Sequence, residues 1–163
     1  MDDGCSPGRV PGMNRVPERA GYALGAGFIV LGGLVAAVTG PLHLDRGSWL
    51  AAYLVLVCGV AQCAMARQRP VLGAAPLPEA RQWMLFGCWN LGNALVVTGA
   101  LLSIPVITDA GGILLAAGLV LAVAGTRQAR RPTAALLVRA FYLVLLVSIP
   151  VGLVLAHLRA GFS

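Results

Sequence analysis

Five long apolar runs constrain the fold of this chain more than any other feature. A helix that crosses the hydrocarbon core of a bilayer needs about 20 mainly apolar residues, and the runs are close to that length. The chain of 163 residues is 58% hydrophobic and only 11% charged, which is more apolar than a soluble domain of this size can hide. The sequence therefore predicts an all-α bundle of five transmembrane helices, at residues 20–40, 49–66, 83–104, 107–125 and 136–157.

The arginines alternate between the loops that join these runs. Cytoplasmic loops retain basic residues, whereas carboxylates contribute little to orientation. Five crossings place ten of the twelve basic residues on one side and two on the other: Arg9, Arg15, Arg19, Arg67, Arg69, Arg81, Arg127, Arg130, Arg131 and Arg139 against Arg46 and Arg159. This distribution predicts a cytoplasmic N-terminus and an external C-terminus.

The first apolar run also sets the predicted domain organisation. Residues 1–19 contain Gly, Pro and charges of both signs without a periodic apolar face, so we expect a disordered cytoplasmic tail. Residues 20–163 are predicted to form a single five-helix transmembrane domain. The run 20–40 is longer than the apolar core of a cleaved signal peptide, which indicates an uncleaved first helix.

The net charge of +6 is explained by this topology rather than by a nucleic-acid partner. A nucleic-acid site needs arginines clustered on one folded face, usually with stacking aromatics, whereas these arginines flank helices. Their expected partner is the lipid bilayer. All basic residues are Arg and none is Lys, and Ala, Gly, Val and Leu dominate the spans, a codon bias typical of GC-rich bacteria. We therefore expect a multi-pass protein of a bacterial plasma membrane.

A stripe of small residues runs along the first predicted helix. Spacings of four, seven, four and four residues keep its members on one side of the helix: Gly21, Gly25, Gly32, Ala36 and Gly40. Small residues permit the close backbone approach that drives helix association in lipid. The stripe is expected to face protein, which is either another helix of the same bundle, a second copy of the chain or a different membrane protein.

Three amide side chains lie inside the predicted spans. Asn90 and Asn93 share one face of the third helix, and Gln62 of the second helix lies at a similar depth, close enough to meet Asn90. Exposing these groups to lipid would be costly. They are expected either to hydrogen-bond between helices or to line a small ligand site, and a small-solute carrier lined by all three is one functional hypothesis.

The two histidines of the chain, His43 and His157, are predicted to lie at the same outer membrane boundary. Two imidazoles at one level can ligate haem or a transition metal. A haem- or metal-binding electron-transfer or sensor protein is therefore an alternative hypothesis, beside an interfacial position without a ligand. Near His43, Trp49 and Tyr53 fit an aromatic belt, and Arg46 is expected to pair with the neighbouring aspartate or with lipid headgroups.

The predicted spans lack carboxylates and nucleophile-base pairs near their centres. Proton relays, ion-coupled carriers and intramembrane hydrolases place such groups within the bundle, so a catalytic or pumping role is not expected. Together with the small-residue stripe, this absence favours a non-enzymatic membrane component without a cofactor. Its expected role is that of an accessory or scaffold subunit that packs against itself or a larger membrane complex.

A resemblance is carried by two runs in the second and third spans, Trp49-Leu-Ala-Ala-Tyr-Leu-Val-Leu-Val-Cys-Gly-Val-Ala-Gln62 and Trp89-Asn-Leu-Gly-Asn93. They are similar to small uncharacterised integral membrane proteins common in GC-rich actinobacteria, which bring no established activity. The second helix also resembles helices of haem-copper oxidase subunit I, in which a His near the helix start binds metal or haem. The corresponding place here reads Gly47-Ser48-Trp49, without a His, and only His43 lies nearby.

Overall fold

The computed structural model describes residues 16–44, 46–75 and 77–160, which are dominated by long helices. Five of these helices are long and apolar enough to cross a membrane. They are α1 (Val16–Thr39), α2 (Gly47–Leu72), α3 (Glu79–Leu102), α4 (Pro105–Gly125) and α5 (Pro132–Ala160). The prediction of an all-helical chain with five apolar spans is confirmed, including the short fourth run.

The helices extend beyond the apolar runs that predicted them. Helix α2 continues to Leu72 rather than ending at residue 66, and α5 begins at Pro132 rather than at residue 136. Helix α1 begins at Val16, so residues 16–19 of the predicted tail are helical, and residues 1–15 lie outside the described part of the chain. Hydropathy locates the part of a helix that suits lipid, whereas backbone hydrogen bonding and capping set its ends.

Large apolar side chains face outward on every helix. Examples that are more than half exposed are Leu34 on α1, Leu56 on α2, Leu91 on α3, Ile113 on α4 and Val144 on α5. A contiguous apolar exterior of this kind is rare on a soluble monomer but suits the hydrocarbon of a bilayer. The fold therefore indicates a multi-pass integral membrane protein.

The five helices pack as two units. Helix α1 pairs with α2, while α3 packs against α4 and α4 against α5. The buried centre of the bundle is formed mainly by the second unit, with Trp89, Leu115, Leu119 and Tyr142, and α2 contributes Ala61. The two units touch each other less than the helices within each unit do, which leaves room for cavities between them.

Glycines bring α1 and α2 into close contact. A Cβ atom on Gly25 would lie 2.7 Å from Cys63 Sγ and 2.9 Å from the carbonyl oxygen of Gly59. A Cβ atom on Gly32 would lie 2.9 Å from the carbonyl oxygen of Ala51. The stripe predicted on α1 is divided by this packing: Gly21, Gly25 and Gly32 are buried, whereas Ala36 and Gly40 are exposed.

Side-chain hydrogen bonds join the two units. The hydroxyl of Tyr53 on α2 donates to Asn93 Oδ1 on α3 over 2.9 Å. Gln68 on α2 makes two more bonds, because its Nε2 donates to the Ala122 carbonyl at 2.8 Å and its Oε1 accepts from the Tyr142 hydroxyl at 3.1 Å. Interhelical hydrogen bonds in membranes contribute about 0.6 kcal/mol each on average, so these three fix the register of the units more than they add stability.

The middle of α2 is a π-helix. The eight residues Leu54–Ala61 have i→i+5 hydrogen bonding and connect two α-helical segments, Gly47–Tyr53 and Gln62–Leu72. π-Helical segments are rare and are frequent at functional sites. The sequence did not predict this one, because a run of Leu, Val, Cys, Gly and Ala contains no signal that separates i→i+5 from i→i+4 bonding.

Candidate functional site

Between the helices of the described part of the chain lie two cavities that share one wall residue, Trp89 of α3. The larger cavity has a volume of about 330 Å³, lies among α2, α3, α4 and α5, and extends to Arg46 and Ser103 at one end of the bundle. The smaller cavity has a volume of about 130 Å³, lies among α1, α2, α3 and α4, and extends to Glu18 and Arg69 at the opposite end. One indole side chain therefore stands between two spaces that approach opposite ends of the bundle.

The larger cavity is apolar in its interior and aromatic along α2. Leu115, Leu119 and Leu145 line it and are themselves almost fully buried. Trp49 and Tyr53 form the aromatic wall, with stacked rings whose centroids are 5.3 Å apart. The volume falls at the lower end of the range of about 300–1,000 Å³ that is typical of small-molecule pockets. Its shape and lining are those of a site for a largely apolar ligand.

Arg46 lies at the rim of the larger cavity and caps the end of α3. Its guanidinium donates to the carbonyl oxygen of Ala100, to that of Leu101 at 3.1 Å and to Ser103 Oγ at 2.8 Å. Ser103 has a φ of 58° and ends α3, so the preceding carbonyls have no partners within the helix. A cation at this position also complements the negative end of the helix dipole.

The smaller cavity is lined by two polar side chains with an unsatisfied atom. Gln62 Oε1 and Trp89 Nε1 are the only buried side-chain nitrogen or oxygen atoms without a hydrogen-bond partner in the described residues. Both side chains are only 3% exposed. The Nε2 of Gln62 donates to the Gly21 carbonyl at 3.3 Å, which leaves its oxygen unused. An unsatisfied buried group lowers the free energy of unfolding by about 1–3 kcal/mol, so the unpaired acceptor of Gln62 and the unpaired donor of Trp89 destabilise the bundle.

The three amides that the sequence groups together hydrogen-bond to different partners in the structure. Asn93 is buried, accepts the bond from α2 described above, and donates through Nδ2 to the Trp89 carbonyl at 2.9 Å. Asn90 donates to the Phe86 carbonyl of its own helix at 2.8 Å, and Gln62 bonds to α1 rather than to Asn90. Gln62 lines the smaller cavity, whereas Asn90 and Asn93 line neither cavity.

The two histidines occupy different kinds of position. His43 is exposed in the turn after α1 and has a positive φ of 49°. His157 lies on α5, and its side chain falls outside the described part of the structure. Within the residues that the structure describes, no three His, Cys, Asp or Glu side chains form a metal-binding group. Joint ligation of haem or a metal by His43 and His157 stays a prediction.

The sequence patterns did not predict the larger cavity and suggested other roles for several of the residues that line it. Trp49 and Tyr53 resemble an aromatic belt, and Arg46 resembles a headgroup contact. Two features of the sequence are consistent with a shared site. The i,i+4 spacing of Trp49 and Tyr53 places them on one helix face. Arg46 is the single basic residue of its loop. Neither feature shows that this face lines a cavity, because that depends on the distance between α2 and α5.

Comparison of the chain with protein-family models, with curated proteins and with solved structures finds no match. No activity, ligand or partner can therefore be transferred from a relative. The function is inferred from the chemistry of the two cavities and from the faces that the helices present to lipid.

Proposed function

We propose that the protein is a non-enzymatic integral membrane protein whose larger cavity binds an anionic amphipathic molecule. The observation that carries this proposal is an apolar cavity with a single cation at its rim. Arg46 is the only charged side chain among the described residues that line it. An alkyl chain would occupy the leucine-lined interior, and a carboxylate or phosphate head would lie beside Arg46.

The interior of the larger cavity is suited to an alkyl chain. Leu115, Leu119 and Leu145 offer no hydrogen-bonding group that a polar ligand would need, and Trp49 and Tyr53 add a flat apolar wall. Burial of each methylene group contributes about 0.8 kcal/mol relative to water. A chain leaving the bilayer gains less than that, so specificity depends on the head.

Arg46 has donors left for such a head. Its bonds to Ala100, Leu101 and Ser103 use three of the guanidinium N–H groups. An arginine carries five such groups, so two are not used by described residues. Hydrogen bonds between a guanidinium and an anion are about twice as strong as those between neutral groups. The same side chain is therefore able to cap α3 and to hold an anionic head at the cavity rim.

Arg46→Gln is expected to weaken binding of a fatty acid about tenfold, because it removes a charge-assisted hydrogen bond from the head. Binding is measured as quenching of Trp89 fluorescence by a dibrominated fatty acid, using purified protein that also carries Trp49→Phe and Trp83→Phe. Trp89 is only 3% exposed, so quenching requires that the brominated chain enter the bundle rather than touch it from the micelle.

Arg127→Gln is the matched control for this experiment, because Arg127 is exposed and lies near the end of α4, away from Arg46. A dibrominated alcohol of the same chain length should bind the Arg46→Gln variant and its parent equally. The proposal would be abandoned if the fatty acid bound both proteins with the same affinity, or if quenching failed to saturate.

The plasma membrane of a bacterium and an N-terminus in the cytoplasm are part of the same proposal. The basic residues that flank the helices support this orientation, since Arg46 stands between α1 and α2 whereas Arg67, Arg69 and Arg127 lie near the other end of the bundle. In this orientation the larger cavity approaches the external surface, and the smaller cavity approaches the cytoplasm. An amphipathic ligand would then enter the larger cavity from the outer leaflet.

A second proposal is that the protein serves as an accessory or scaffold subunit, and a face of α1 favours it. Gly33 and Ala37 lie on one side of α1, Gly40 follows in the turn directly after the helix, and all three are exposed. A Cβ atom on Gly33 or Gly40 would have no neighbour within 4 Å, so no described helix covers this face. Small residues at i, i+4 and i+7 are typical of helices that associate in lipid. The partner would be a second copy of the chain or another membrane protein.

A photoreactive amino acid at position 33 is expected to crosslink that partner in intact membranes, because the exposed small residues permit close approach of a second helix. Position 56 is the control, since Leu56 is exposed on α2 outside this face. Mass spectrometry identifies the crosslinked chain. Recovery of no protein from position 33, or of the same proteins from both positions, would contradict the accessory role.

A further inference from the structure

We propose that Trp89 closes the end of the larger cavity that is remote from Arg46, and thereby limits the alkyl chain of the ligand to about 12 carbons. The inference rests on the proposed function, because it concerns the chain of the same amphipathic ligand. Its basis is the position of the indole between two cavities. Trp89 is the only described residue that lines both, and its side chain is only 3% exposed.

The two cavities follow one another along α2 and α3. On α3, the larger cavity is lined from Trp89 to Ser103, and the smaller one is lined from Gln82 to Trp89. On α2, residues up to Val57 line the larger cavity, and residues from Gln62 onward line the smaller one. The indole therefore lies at the level of the bundle where one space ends and the other begins.

Helix α4 contacts the indole at the same level. Leu115 and Leu119 line the larger cavity, whereas Gly118 between them lines the smaller one. A Cβ atom on Gly118 would lie 3.5 Å from Trp89 Cε3, so the six-membered ring of the indole lies beside α4 at this glycine. Trp89 also packs in one buried cluster with Leu115, Leu119 and Tyr142. A side chain held in this way is suited to act as a fixed wall.

The distance from Arg46 to this wall sets the length of the chain. A head beside Arg46 would lie near the level of Ala100, whose carbonyl oxygen accepts a bond from that arginine. Trp89 comes 11 residues earlier on α3 (100 − 89), which is about 16 Å at a rise of about 1.5 Å per residue. An extended carbon chain advances about 1.2 Å per bond, so about 13 bonds fit.

The volume of the larger cavity agrees with this length. It is about 330 Å³, which is the volume of about eleven water molecules in the liquid. A methylene group has a bulk similar to that of a water molecule, so one chain of about 12 carbons fills the space. A second chain would not fit beside it. The preferred ligand is therefore a single-chain acid of medium length rather than a two-chain phospholipid.

The test compares Trp89→Ala with the parent protein. Unlabelled saturated fatty acids of eight to eighteen carbons displace radiolabelled decanoate from the purified chain, and the ratio of the two proteins' affinities cancels the partition of each acid into micelles. Relative to decanoate, hexadecanoate is expected to bind Trp89→Ala about tenfold more tightly than it binds the parent, because its last methylene groups enter the smaller cavity. Trp89→Leu, which removes less bulk, should give an intermediate gain and serves if Trp89→Ala does not fold.

Phe86→Ala is the matched control, because Phe86 is an aromatic residue of α3 that lines the smaller cavity alone. It enlarges that cavity without opening the wall, so the dependence on chain length should match the parent. Equal affinity ratios at every chain length for the Trp89 variants, or the same gain for Phe86→Ala, would overturn the length limit while leaving the proposed function intact. Failure of the parent to bind decanoate saturably would overturn the proposed function and this inference together.

Discussion

Gly25→Val is expected to lower the free energy of unfolding by about 3 kcal/mol, because the added methyl groups cannot fit between α1 and α2. Even a Cβ atom would lie 2.9 Å from the Gly59 carbonyl oxygen and 2.7 Å from Cys63 Sγ. The carbonyl belongs to the backbone of α2, so relief requires the two helices to separate rather than one side chain to rotate. Titration with a denaturing detergent, followed by circular dichroism, measures the loss.

The matched control is Gly27→Val on the same helix. Gly27 is exposed, and a Cβ atom there would have no neighbour within 4 Å. Both variants carry the same cost of placing a β-branched residue in a helix, so their difference isolates the contact with α2. Equal unfolding curves for the two variants would show that the close approach of α1 and α2 does not stabilise the bundle.

A reporter fused after Ser163 is expected to be entirely external, which is an all-or-none result. Five crossings would place the two ends of the chain on opposite sides, and the arginine distribution predicts a cytoplasmic N-terminus. Alkaline phosphatase, which folds only outside the cytoplasm, should therefore be active at this position. A fluorescent protein that matures only in the cytoplasm should be dark there.

Fusions after Ala75 provide the internal comparison, because this position lies between α2 and α3. There the phosphatase should be inactive and the fluorescent protein bright. An inactive phosphatase after Ser163, in a fusion that is expressed and membrane-bound, would mean that the orientation is inverted or that one apolar helix does not cross. The assignment of the larger cavity to the external surface would be lost with it.

The helices of this chain can be predicted from its sequence because each one corresponds to a long, continuous run of apolar residues. About 20 consecutive apolar residues are required wherever a chain crosses hydrocarbon, and no packing knowledge is needed to count them. The burial of Gly25 and Gly32 can also be predicted from the sequence, because their spacing of seven residues keeps them on one side of α1. The exposure of Ala36 and Gly40 does not follow from spacing. It depends on how far α2 runs alongside α1.

The candidate site was harder to predict, because it is made of spaces between helices. Asn90 and Asn93 share a face with the expected i,i+3 spacing, but their amides are used by the backbone of α3 and by α2. Trp89, next to them in sequence, lines both cavities instead. Hydropathy and spacing do not distinguish these neighbours, since the difference arises from the positions of α2 and α4 around α3.

The π-helical segment of α2 changes which residues in the two halves of that helix share a face. A turn that closes i→i+5 takes up one residue more than an α-turn, and one residue corresponds to about 100° of rotation. A helical wheel drawn over all of Gly47–Leu72 therefore misplaces its second half relative to its first. The π-helical turns therefore rotate the side chains after Ala61 about the helix axis, relative to their positions in a regular α-helix. Trp49 and Tyr53 line the larger cavity and Gln62 lines the smaller one, so a single continuous helix contributes to both.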